Sequence, residues 1–134
     1  MTDTYFERIE HTADLAIRVW GDDLPGMFVN AARALFALMS EAPPTVLHER
    51  RVVVESVDTQ ALLVDWLNEL ICLSEVEHEV YTDFAIEELT TERLTARLRG
   101  GPAAKTRTIK AATFHDLHVE RTERGVEARL VFDV

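Results

Sequence analysis

The chain has 134 residues, 47% of them hydrophobic, and its 24 acidic against 14 basic side chains give a formal net charge of −10. This length supports one domain with a hydrophobic core and is too short for two ordinary domains, so we predict a single domain over residues 1–134. No apolar run reaches the roughly 20 residues that cross a bilayer, and the amino terminus lacks a signal-like pattern, so we expect a cytoplasmic protein that does not bind membranes.

The acidic balance bears on which partners the chain can bind. A net charge of −10 repels a polyanion, so we expect no direct, non-specific nucleic-acid binding. The same charge suits docking on a basic protein surface. The alternative is that it only keeps a small protein in solution.

The first third of the chain predicts two strands and a helix. Apolar and polar residues alternate over residues 5–10 and 13–20, which is typical of strands. Asp23 follows a turn and is predicted to cap a helix that runs to about Met39 and ends before the Pro43-Pro44 pair.

The rest of the chain adds strands and one more helix. A β-rich segment at residues 52–57 precedes a helix predicted from a Thr59 cap to about Glu77, apolar almost all round and so packed in the middle of the fold. Further strands are predicted at residues 80–88, 93–99, 109–120 and 126–132, with Gly100-Gly101-Pro102 as a break. Without βαβ alternation, this order predicts an α+β domain, in which two helices pack on a mainly antiparallel β-sheet.

Acidic groups stand at two strand ends. Asp14 follows the first predicted strand, and Asp133 comes one residue before the main-chain carboxylate of Val134. If folding brings these ends together, three oxygen-bearing groups converge, as Ca²⁺ and Mg²⁺ require. The alternative is that the acids are solvated strand ends, which are common.

Other polar residues offer support for such a site. Asp65, Asn68 and Glu69 share one face of the second helix and either reach solvent or line a polar site. Glu69 is the better candidate to support a metal site, and His11 is another, although a histidine beside a strand is usually structural. The single cysteine, Cys72, is expected to pack as a small hydrophobic residue.

Lys110 stands among small apolar residues of a predicted strand. Period-two alternation places it on one face with Ala112 and Phe114, and Ile109 on the other face. A lysine in such a strand is more often an edge or surface residue than a catalytic one. The chain also lacks a glycine-rich phosphate loop, a close cysteine pair and a nucleophile elbow, which favours an accessory protein over an enzyme.

Five separated motifs resemble the archease family, in the same order and over nearly the whole chain. They are HTADL at residues 11–15, WGD at 20–22, LLVDWLNEL at 62–70, IKAATFH at 109–115 and LVFDV at 130–134. The resemblance implies a small acidic activator of the tRNA-splicing RNA ligase, which joins a 3′-phosphate end to a 5′-hydroxyl end with GTP. Departures from the family pattern are Phe114 for tyrosine, Asp116 for glycine and Val126 for tryptophan.

The resemblance implies a role for each candidate residue. Asp14, Asp133 and the Val134 carboxylate are expected to hold a divalent cation, Ca²⁺ or Mg²⁺, and Lys110 to take part in activation. The leading hypothesis is that the protein promotes guanylylation and repeated turnover of an RNA ligase without performing the ligation. The alternative is a chaperone-like or modulatory module that binds diverse clients. An autonomous metal-dependent hydrolase is the weakest reading, because no general base stands beside the acids.

Overall fold

The computed structural model describes residues 4–9 and 14–134. Within those ranges the chain forms seven strands and two helices, which confirms the α+β class. The elements, in chain order, are β1 (Phe6–Ile9), β2 (Leu15–Gly21), α1 (Leu24–Met39), β3 (His48–Glu55), α2 (Thr59–Glu77), β4 (Val80–Leu89), β5 (Arg93–Gly101), β6 (Ala111–Thr122) and β7 (Gly125–Asp133).

The strands divide into two antiparallel sheets. Sheet A has the order β1-β2-β7-β6, and sheet B has the order β3-β5-β4. Helix α1 contacts β2 and β4, and α2 contacts β6 and β3, so each helix packs against both sheets. The apolar faces of all these elements therefore share one hydrophobic core.

Local signals in the sequence account for both helices. The Asp23 side chain accepts a hydrogen bond from the Gly26 N–H (2.8 Å), as predicted for the start of α1. Helix α2 is capped by Asp58, whose side chain accepts from the Ala61 N–H (2.8 Å). The predicted Thr59 cap was wrong by one residue, because Thr59 is already the first helical residue.

The buried helix α2 is anchored in the core. Trp66 is fully buried, and its indole N–H donates to the Phe28 carbonyl of α1 (3.0 Å), which satisfies the polar end of an otherwise apolar side chain.

Within the described residues, neither helix is long and apolar enough to cross a membrane.

Two glycines predicted to break the chain are instead part of strand β5. A Cβ at Gly100 would collide with the Val80 carbonyl oxygen, and one at Gly101 would collide with the Val46 carbonyl oxygen. These positions need glycine because neighbouring backbone passes close to them, and a turn is not the reason.

Candidate functional site

Residues at or next to the ends of three adjacent strands lie together at one end of sheet A, where the strands terminate. Strand β7 lies between β2 and β6. On one side Leu15 pairs with Phe132, so the same register carried one residue further sets Asp14 opposite Asp133. On the other side Ala111 pairs with Asp133. The backbone N–H of Lys110 donates to the Asp133 carbonyl (2.8 Å), which extends the pairing beyond β6.

We call Asp14, Lys110, Asp133 and Val134 the strand-end cluster. The proximity of these residues could not be predicted from the sequence alone, because they come from three separate segments of the chain. Antiparallel pairing brings the start of β2 and the approach to β6 to the end of β7. Neighbouring strands lie about 4.8 Å apart, so the cluster is compact.

The two acidic side chains of the strand-end cluster lie on the same face of sheet A. Residues directly opposite each other in an antiparallel pair have Cβ atoms about 5 Å apart on one face. Phe132 is fully buried, so its neighbour Asp133 points away from the core, as does Asp14 across from it. Both aspartates are exposed, and so is Val134.

This donor set suits a hard cation. Two side-chain carboxylates on one face supply only oxygen atoms, which Ca²⁺ and Mg²⁺ prefer. Among residues 4–9 and 14–134, no group of three or more His, Cys, Asp or Glu side chains could hold a metal. The cluster therefore offers at most two metal-binding side chains from this part of the chain.

The two residues predicted to support the site have different outcomes. His11 lies outside the described residues. Glu69 is exposed on α2 and, within the described ranges, makes no hydrogen bond or ion pair with the cluster. Asp65, on the same helix face, is half-buried and accepts a hydrogen bond from the Ser56 hydroxyl (2.7 Å).

Lys110 points to the side of the sheet opposite the two aspartates. Ile109 and Ala112 are both buried, so the prediction that placed Ile109 on the face opposite Ala112 is wrong, because both residues face the core and β6 begins only at Ala111. Its side chain lines a groove against α2. Among the described residues the Lys110 ammonium has no ion-pair partner, which leaves it available to a ligand from outside the chain.

Asn68 is the residue that fixes the approach to β6. Its side-chain oxygen accepts from the Ala112 N–H (2.8 Å), and its amide group donates to the Ala112 carbonyl (3.1 Å). These two bonds satisfy the free edge of sheet A two residues after Lys110. One feature of the sequence indicates this role, since an amide on a largely buried helix needs hydrogen-bond partners.

A bulge in β6 follows the strand-end cluster. The pairing with β7 shifts between Thr113 and His118, and Asp116 has φ 52°, in the left-handed region that favours glycine. Phe114 is 60% exposed there. Asp116 thus occupies a glycine-like conformation, which aspartate tolerates better than most residues.

Comparison with known proteins places the whole chain in one family. The model of the Archease protein family matches residues 6–134. "Protein archease" of Methanosarcina mazei is 32% identical over 96% of this chain and 95% of its own length. The Methanopyrus kandleri protein of the same name is 35% identical over 96% and 99%.

Two solved structures share the fold. The solution structure of Methanobacterium thermoautotrophicum protein 1598 has a TM-score of 0.77 and 30% identity, and covers 96% of this chain and 98% of its own. The crystal structure of a Thermotoga maritima archease, called a possible chaperone, has a TM-score of 0.68 and 25% identity, with 96% of each chain covered. The chain therefore belongs to the archease family.

Proposed function

We propose that this protein activates a GTP-dependent RNA ligase that joins 3′-phosphate to 5′-hydroxyl ends in tRNA splicing. It promotes guanylylation of the ligase and repeated turnover, and it does not perform the ligation. The observation that carries the proposal is the antiparallel register around β7, which supports a shared role for Asp14, Lys110 and Asp133 at one edge of the molecule.

The acidic and basic residues of the strand-end cluster have different roles in this proposal. Asp14, Asp133 and the Val134 carboxylate hold a divalent cation, Ca²⁺ or Mg²⁺, which offsets negative charge where a triphosphate meets an anionic site. Lys110, on the opposite side of the sheet end, contacts a phosphate of the nucleotide as a charged donor. The lack of an ion pair at Lys110 within the described chain favours that role over pairing with the aspartates.

The net charge supports an RNA ligase as the partner. An enzyme that holds RNA needs a basic groove, and an acidic protein is attracted to such a groove. The direct test is guanylylation of the ligase from the same cell, with GTP and a divalent cation, measured with and without the protein. A ligase that reacts at the same rate in both cases would contradict the proposal.

Divalent cations should stabilise the protein through the strand-end cluster. With free Ca²⁺ or Mg²⁺ at one hundred times its dissociation constant, the gain in unfolding free energy is about 2.7 kcal/mol. Asp14→Asn and Asp133→Asn should each remove this gain, because each deletes one anionic ligand with little change in shape. Thermal unfolding with and without the cation measures the difference.

Asp83→Asn is the matched control for these variants. Asp83 is exposed on β4 in sheet B, so the substitution makes the same change in net charge away from the cluster. It should keep the full response to the cation. Equal cation binding by the parent and both cluster variants in titration calorimetry would place the metal site elsewhere.

The carboxylate of Val134 can be tested separately. A peptide tag joined after Val134 converts this carboxylate into an amide and should impair ligase activation, whereas the same tag at the amino terminus should not. The rate of ligase guanylylation with each tagged protein is the measurement. Full stimulation by the carboxyl-terminally tagged protein would remove Val134 from the ligand set.

A second candidate function is a chaperone-like or modulatory module that binds diverse clients. Two observations favour it: the Thermotoga maritima relative is called a possible chaperone, and several large apolar side chains of this chain are exposed. In that case the acidic residues only keep the protein in solution. The effect of replacing Lys110 on ligase guanylylation distinguishes the two functions.

A further inference from the structure

A groove of about 520 Å³ lies where α2 meets the approach to β6. Ile71 and Ile109 are almost fully buried beneath it, Val76 on the helix is 66% exposed, and Lys110 stands on the strand side. Cys72 also lines the groove and is exposed, so its predicted burial as a small hydrophobic residue was wrong. The groove is mainly apolar and has the size of many ligand sites.

The free edge of sheet A is already occupied at Ala112, beside the groove. Both backbone groups of Ala112 are bound by the side chain of Asn68. An extended peptide that adds to a sheet needs such groups unpaired. At this point the apolar groove favours a side chain that inserts between helix and strand over a strand that extends the sheet.

The charged residues of the groove indicate which charge a partner would carry next to the inserted apolar side chain. Glu75 stands on the helix side and has no hydrogen bond or ion pair within residues 4–9 and 14–134. An unpaired carboxylate at the rim of an apolar groove is complemented by a cation on the partner. Lys110 belongs to both the groove and the strand-end cluster, so a partner that contacts Lys110 lies next to the groove.

We propose that this groove receives an anchor from the RNA ligase, namely a large apolar side chain flanked by an arginine or lysine that pairs with Glu75. The inference rests on the proposed function and names the surface through which the ligase docks. Buried apolar anchors at the centre of an interface carry much of its binding energy. The strand-end cluster then needs to supply only the activating contacts.

Cys72, the one cysteine of the chain, reports on the groove directly. Its alkylation by N-ethylmaleimide, followed by mass spectrometry of the Cys72 peptide, should slow at least tenfold when the purified ligase is bound. The control is a Cys72→Ser, Val57→Cys double variant, since Val57 is exposed just before α2 and away from the groove. That thiol should react at the same rate with and without the ligase.

Val76→Asp should weaken binding to the ligase about tenfold or more, while Val57→Asp should bind like the parent. Both valines are exposed, so neither substitution disturbs the core. The ligase could bind and be activated while Cys72 reacts at an unchanged rate and the Val76→Asp variant binds the ligase as tightly as the parent does. That result would overturn the groove as the docking surface and leave the proposed function standing. A ligase that neither binds nor responds to the unaltered protein would overturn the proposed function and the groove together.

Discussion

Lys110→Ala is expected to reduce stimulation of ligase guanylylation roughly 10- to 100-fold, the equivalent of one lost charge-assisted hydrogen bond. The fold should be unaffected, because Lys110 is exposed and makes no ion pair within the described chain. Its melting temperature should stay near that of the parent. A multiple-turnover assay with GTP and catalytic amounts of ligase gives the rate, and thermal unfolding gives the stability.

Lys105→Ala is the matched control, since Lys105 and Lys110 are the two lysines of the chain. Lys105 lies in the segment before β6 and outside the strand-end cluster, so its loss should leave stimulation intact. A general chaperone would instead suppress aggregation of unrelated unfolded proteins equally well with either substitution. If that pattern is observed and the parent protein also has no effect on ligase guanylylation, the chaperone function is supported and the activator function is rejected.

The helices and most strand positions were predictable because their signals are local. Asp23 and the apolar period of residues 24–39 define α1 within a single stretch of chain. The buried character of α2 followed from its nearly continuous apolar surface. For the same reason the predicted strands at residues 80–88 and 93–99 differ from β4 and β5 only at their ends.

Features that depend on distant contacts could not be predicted from local pattern. The division into two sheets depends on which strands pair, and alternation within one strand does not specify its partner. Ile109 was assigned to the face opposite Ala112, although both are buried, because the period was started before β6 itself begins. The bonds from Asn68 to Ala112 join residues 44 positions apart, so only the folded chain reveals them.

The candidate site was only partly predictable from sequence: its residues could be chosen from local pattern, but their proximity could not. Asp14 and Asp133 could be chosen from sequence as acids at strand ends, and the resemblance to archeases singled out Lys110. Their proximity comes from the position of β7 between β2 and β6, which no motif states. The groove beside Lys110 was not predicted, because its apolar residues come from both α2 and the approach to β6.

A large loss of stability is expected on replacing Glu79, which is 3% exposed and accepts three hydrogen bonds at its carboxylate. Two come from the Arg50 guanidinium (2.9 and 3.1 Å) and one from the Tyr81 hydroxyl (2.8 Å). Arg50 lies on β3, and Tyr81 on β4, so the network links strands that β5 separates. Glu79→Ala removes the acceptor and leaves the fully buried Tyr81 hydroxyl unpaired, at a cost of about 3 kcal/mol.

This loss should depend on pH in a defined direction. The hydrogen bond from Arg50 holds the pKa of Glu79 below its ordinary value of 4.5, so the carboxylate contributes fully above that pH. Its contribution falls as the pH drops through the lower pKa of the folded state. Urea unfolding of the parent and of Glu79→Gln should differ by a constant free energy from pH 7 to pH 5, and by less in stronger acid. A difference that stays constant down to about pH 2 would mean that the charge of Glu79 is not what stabilises the network, since protonation makes the parent resemble the glutamine variant.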